Sequence, residues 1–155
     1  MKIIEAVKPD LIFLDLEAGD AVEALAAIAV ELGRSASLDS EMIRSALIER
    51  EELGSTSVGN GFAIPHCKLA RLETIVVALA RVREGVDFGG NRNHEPVRFF
   101  FVVLSPPDQP AEHLQVLSQI ARILKNDEFR SELLGAVDSA AVISSIGRAA
   151  ELEGL

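Results

Sequence analysis

The chain reads as an α/β protein, a three-layer α/β/α sandwich around a small mixed β-sheet. Three observations predict this. The runs Ile75-Val76-Val77-Ala78-Leu79-Ala80 and Phe99-Phe100-Phe101-Val102-Val103-Leu104 are apolar without alternation, which suits central strands covered on both faces. Segments with apolar residues at helical spacing lie before and after those runs. Glycine, asparagine and proline punctuate the chain between periodic segments, and no linker, repeat or low-complexity block interrupts it.

Each element has its own reason. Ile12-Phe13-Leu14 with Leu16 predicts a first strand. From about Asp20 to Leu32, apolar Ala21, Val22, Leu25, Ala26, Ile28, Ala29 and Leu32 predict a helix that Gly33 would stop. A second helix is expected after Asp39 or Ser40, with Met42, Ile43, Ala46 and Leu47 inward and Glu49-Arg50-Glu51-Glu52 at its end, before Gly54. Gly85, Gly89-Gly90 and Asn91 to Asn93 mark turns between the two apolar strands, and Pro106-Pro107 ends the second. A third helix should follow Pro110, a residue favoured at the first helical position, and bury Leu114, Leu117, Ile120, Ala121 and Leu124. Shorter helices are expected over 127–134 and 139–149.

Composition bounds the partners. The 155 residues suit one domain (1–155), and 48% hydrophobic content supplies a substantial core. No apolar run is long enough to span a bilayer, the N-terminus lacks a secretory h-region, and lone Cys67 cannot form an internal disulfide. These features predict a cytoplasmic protein with no direct membrane insertion. A net charge of −9, without tryptophan or tyrosine to stack on bases, argues against nucleic-acid binding.

Chemistry points to His66. In Gly59-Asn60-Gly61-Phe62-Ala63-Ile64-Pro65-His66, two glycines permit φ values that other residues resist, and a proline fixes its own φ and pushes Ile64 toward extended backbone, ahead of one imidazole at the end of a strand-like segment. Taken alone, such a histidine is commonly a partly buried polar residue. Upstream, Arg50 and the hydroxyl-rich Gly54-Ser55-Thr56-Ser57-Val58-Gly59 could face an anion, or form a solvated helix end and a surface turn. His113 falls in the opening turn of its helix, where the macrodipole disfavours imidazolium, or where it simply caps a buried start. His94 reads as an exposed loop residue with no role.

Other chemistries fail on spacing. Asn60-Gly61 replaces the lysine and hydroxyl residue of a P-loop, and Ile64 stands where the dinucleotide fingerprint needs a third glycine. No His/Cys cluster has metal-site spacing. In an extended segment Cys67 faces away from His66, so a thiol nucleophile is not indicated.

Arg50-Glu51, Gly54-Ser55-Thr56 and the stretch from Gly59 to His66 together resemble the signature of the EIIA domains of the phosphoenolpyruvate:sugar phosphotransferase system. The likeness is to the fructose/mannitol class (type 2), above all its nitrogen-regulatory branch. It continues through Asp87-Phe88, Pro96-Val97 and His113-Leu114-Gln115-Val116-Leu117, over about residues 1–148. The resemblance implies that His66 accepts a phosphoryl group from an HPr-like phosphocarrier. Arg50 and His113 would support it, with phosphoryl contacts from Ser55 and Thr56 and no metal or organic cofactor. Downstream it implies a regulatory protein or an EIIB-like acceptor. A sugar-transport EIIA serving a separate fructose- or mannitol-type permease, and an unphosphorylated interaction module, are the alternatives. Cys67 and Ser57 stand where the family favours glycine. Cys67 would tighten the backbone beside the phosphohistidine or render the site sensitive to oxidation.

In-line transfer between histidines asks for a neutral His66 whose lone pair is aimed by a hydrogen bond at its other ring nitrogen. Arg50 and His113 would then stabilise phosphoryl charge, within a mouth carrying an apolar patch for the carrier.

Overall fold

The computed structural model describes residues 1–89 and 95–155. The elements run α1 (Ile3–Ala6), β1 (Val7–Phe13), α2 (Ala21–Ala36), α3 (Ser40–Glu52), β2 (Ser57–Gly59), β3 (Phe62–Ala63), β4 (His66–Lys68), β5 (Val76–Val86), β6 (Val97–Ser105), α4 (Pro110–Ile123), α5 (Asp127–Gly135) and α6 (Ser139–Leu152). The sheet is mixed and ordered β1-β5-β6-β3-β2, with β4 also paired to β6. Strands β1 and β5 are parallel, β5 and β6 antiparallel, and β3 and β4 both run parallel to β6.

Three layers follow from the unbroken apolar run of β6. Phe99, Phe101 and Val103 pack into a core shared with α1, α4, α5 and α6, while Phe100, Val102 and Leu104 enter a second core under α2 and α3. Period-two alternation thus serves two apolar faces at once. Helix starts are fixed by side-chain caps at Asp20, Asp39, Asn126 and Asp138.

Several boundaries differ from the sequence expectation. Strand β1 spans Val7–Phe13, starting earlier than predicted and leaving Leu14 and Leu16 outside it; Lys8, Pro9 and Asp10 are exposed on this edge strand, where proline and charge are tolerated. Gly33 does not stop α2, which ends at Ser37 in the left-handed region. A Cβ on Gly33 would lie 3.0 Å from the Ser40 Cβ and 3.3 Å from the Leu38 carbonyl, so glycine there permits α2 and α3 to approach. Met42 faces solvent instead of the core, where Ile43 and Leu47 lie. Strand β5 runs past Ala80 to Val86, and Gly85 sits within it rather than in a turn. The buried stripe of α4 is His113, Val116, Ile120 and Ile123; Ile120 and Leu124 are buried as predicted and Leu117 packs against the core, but Leu114 and Ala121 are exposed. The turn expected at Gly89-Gly90 and Asn91 to Asn93 falls mostly, and His94 wholly, outside the described residues. No helix among the described residues is long and apolar enough to cross a membrane.

Candidate functional site: a pair of histidines on β4 and α4

The approach to His66 is shaped by a hairpin and a proline. Asn60 (φ 58°) and Gly61 (φ 84°) join β2 to β3 with positive φ at both central positions, the requirement of the tight turns that match strand twist. The chain then follows β6: Phe62 and Ala63 pair with Phe99 and Phe100, and His66 to Lys68 pair with Val103 to Ser105. Between the two pieces Pro65 has no N–H to donate, yet its carbonyl accepts from Val103. Every residue from Gly61 to Cys67 is buried except His66, which is half-buried.

Alternation decides what His66 meets. Ala63 and Cys67 point into the α2/α3 core, whereas Ile64 belongs to the core beneath α4. His66 shares that side, and its ring lies 5.4 Å from the His113 ring, centroid to centroid, tilted by 59°. His113 is carried there by the short connection from Ser105 at the end of β6 to Pro110 at the first position of α4.

Hydrogen bonds give the two imidazoles opposite tautomers. The Nδ1 of His66 lies 2.8 Å from the Ile64 carbonyl, which can only accept. The neutral His66 ring therefore carries its proton on Nδ1 and leaves Nε2 as a lone pair. The Nδ1 of His113 lies 2.5 Å from the hydroxyl of fully buried Ser105. That hydroxyl makes no other hydrogen bond among the described residues, so it donates to Nδ1 and the His113 proton resides on Nε2. Burial, then the nearby His66 and Lys68 charges, hold His113 below its ordinary value of 6.5. The two facing rings thus carry their protons on different ring nitrogens. Ser105 was invisible to sequence reasoning, because its partner is set by the strand-to-helix connection and not by any motif.

Arg50 lies in the last turn of α3, which packs against β4, and its Nη1 donates to the Gly54 carbonyl at 2.9 Å. The remaining guanidinium donors make no hydrogen bond among the described residues. Ser55 and Thr56 depart from the expected role. The Ser55 hydroxyl donates to the Phe88 carbonyl, while the Thr56 amide and hydroxyl both donate to Glu51. Of the donors proposed for an anion on these two residues, the Ser55 amide alone is uncommitted among the described residues. Exposed Leu114 directly follows His113 and supplies apolar surface there. Among the described residues no group of three His, Cys, Asp or Glu could hold a metal ion.

Cys67 is buried, and burial pushes its thiol up to about 12. Reactivity belongs to the thiolate, so the sensitivity to oxidation expected from sequence is replaced by an inert thiol. Native protein at pH 8 is expected to resist iodoacetamide while urea-unfolded protein is alkylated fully. Rapid labelling of the folded state would contradict this.

Comparison with known proteins places the chain in one class, the EIIA components of phosphotransferase systems. The chain belongs to the family described as phosphoenolpyruvate-dependent sugar phosphotransferase system, EIIA 2, whose model matches residues 5–148. It is 33% identical over 144 residues to a nitrogen regulatory protein of Bradyrhizobium diazoefficiens, covering 93% of this chain and 94% of that protein. Over 116 residues it is 38% identical to a PTS system fructose-specific EIIA component of Haloferax volcanii, covering 75% and 73%. The crystal structure of nitrogen regulatory protein IIA-Ntr from Neisseria meningitidis superposes with a TM-score of 0.85 at 32% identity, covering 93% of this chain and 98% of that one.

Proposed function

We propose that this EIIA domain is a histidine phosphoacceptor that takes a phosphoryl group from an HPr-like phosphocarrier onto Nε2 of His66. The observation that carries the reading is geometric: His66 Nδ1 is held by the Ile64 carbonyl, His113 Nδ1 by the Ser105 hydroxyl, and the two rings lie 5.4 Å apart, an arrangement that favours a lone pair on His66 Nε2 and an N–H on His113 Nε2. In the transfer the P–N bond to the carrier histidine breaks as the bond from phosphorus to His66 Nε2 forms. The leaving nitrogen keeps the electron pair. The proton stays on His66 Nδ1, donated to the Ile64 carbonyl, so no proton need move. His113 Nε2–H and the free donors of Arg50 would stabilise the phosphoryl oxygens, and the Ser55 amide would add a contact. Residues 1–155 would act as one domain, with exposed Leu114 inside the carrier's footprint.

The likeness to nitrogen regulatory proteins over most of the chain favours a regulatory role, in which the phosphorylation state is read by a downstream protein. A second reading, relay to an EIIB-like acceptor of a sugar permease, is favoured by the likeness to a fructose-specific EIIA component.

The test is incubation with phosphoenolpyruvate, the general phosphotransfer enzymes and an HPr-like carrier, followed by intact mass. We expect an acid-labile gain of one phosphoryl group, absent in His66→Ala. An unchanged wild-type mass, under a donor that phosphorylates another EIIA, would leave an interaction module as the better reading.

A further inference from the structure

Glu51 sits in the last turn of α3, half-buried, and both of its carboxylate oxygens are spent on one residue. Oε2 accepts the Thr56 amide at 2.9 Å and Oε1 accepts the Thr56 hydroxyl at 2.7 Å. The Thr56 carbonyl accepts the Ile64 amide at 3.0 Å, and the Ile64 carbonyl accepts His66 Nδ1 at 2.8 Å. Four hydrogen bonds therefore connect a carboxylate on a helix with the imidazole. The linking residues Thr56 and Ile64 are both buried, where lost partners are not replaced by water.

We propose that Glu51 is a positioning residue for phosphoryl transfer, acting through Thr56 and Ile64 to hold the orientation and the Nδ1–H tautomer of His66. This rests on the reading of His66 as the phosphoryl acceptor. The coupling is mechanical. The N–H and C=O of Thr56 belong to different peptide units, as do those of Ile64, so charge on Glu51 is not conducted along the path by peptide polarisation. A two-point grip fixes both position and rotation of Thr56, which one hydrogen bond would not. The Ile64 carbonyl inherits that placement, and Pro65 beyond it removes a backbone degree of freedom that could otherwise absorb an error. The surrounding sequence explains why the grip is needed. Gly54, Gly59 and Gly61 all have positive φ, and the first two are open to solvent, so the loop between α3 and β3 has little stiffness of its own.

The experiment compares wild type, Glu51→Gln and, as a charge control, the exposed neighbour substitution Glu52→Gln. Glutamine keeps one acceptor oxygen but turns an NH2 toward a donor, so the grip becomes single. Long-range 1H–15N spectra of the unphosphorylated proteins report the His66 tautomer. Single-turnover transfer from a phosphorylated HPr-like carrier, as a function of carrier concentration, separates the saturating rate from the KM. In Glu51→Gln we expect His66 to pass from predominantly Nδ1–H to a mixture, and the saturating rate to fall roughly tenfold at unchanged KM. Glu52→Gln should match wild type in both. The proposal is overturned by an unchanged tautomer, with or without a slower rate, or by a loss confined to KM. A wild type that accepts no phosphoryl group would instead defeat the phosphoacceptor reading. The tautomer result would still decide whether Glu51 positions the ring.

Discussion

Replacing His113 by alanine should slow phosphoryl transfer to His66 about a hundredfold, the usual cost of removing one preorganised donor from a transition state that develops oxygen charge. The protein should still fold. The substitution leaves the Ser105 hydroxyl unpaired in the interior, worth about 1–3 kcal/mol, well within what a domain of this size tolerates. Single-turnover transfer measured with denaturant unfolding separates the two effects, and undiminished transfer would remove His113 from the mechanism. The same residue has a pH signature. Its folded pKa lies below the ordinary value of 6.5, so the folded state binds the proton less readily than the unfolded chain. The stability it contributes is complete above about pH 6.5 and is lost as pH falls from there through the folded pKa. Urea unfolding between pH 7.5 and 5 should show wild type losing stability that His113→Gln does not lose.

A larger effect on folding is expected at Arg81, which has no part in the proposed chemistry. Its side chain is fully buried in β5, yet its donors reach four carbonyls: Nε to Leu14, and Nη1 to Leu133, Leu134 and Ala136. Three of these lie at the end of α5, where unpaired carbonyls and the negative end of the helix dipole favour a cation. Arg81→Met fills much of the volume but orphans the Leu14, Leu134 and Ala136 acceptors, while the Leu133 carbonyl keeps the Ala136 amide. At about 1–3 kcal/mol for each acceptor that water cannot reach, a loss of ~3–5 kcal/mol is expected. Equilibrium chemical denaturation checks it, and a loss below about 1 kcal/mol would show that water or a backbone shift satisfies the carbonyls.

Arg81 also shows where sequence reading stopped. The apolar run before it was legible as a strand, but a charged residue there reads as a boundary. Only the distant end of α5, brought beside β5 by the fold, makes the guanidinium an interior group. Gly85 misled for a similar reason. A Cβ there would fall 2.6 Å from the Pro96 Cβ and its φ is positive, so glycine marks an irregularity inside β5 and not a turn. The misplacement of Leu114 and Ala121 in α4 arose because His113 occupies an inward position that hydrophobic counting leaves blank. By contrast β6, α3 with its Asp39 cap, and Pro110 at the head of α4 were legible, since each rests on local chemistry. Within the candidate site, the opposite facing of His66 and Cys67 was legible from strand alternation. The Ser105 and Glu51 contacts were not, because they join residues through turns whose paths sequence does not specify.

Strand parity carries a consequence of its own. His66 reaches α4 and Cys67 reaches the opposite core only because an odd-and-even count is preserved along β6. Deleting or adding one residue beside Pro65 would exchange them, hiding the imidazole under α2 and α3 and presenting a thiol to His113. A length change of two would restore the sidedness. Chemistry at this edge is therefore encoded in arithmetic as well as in residue identity.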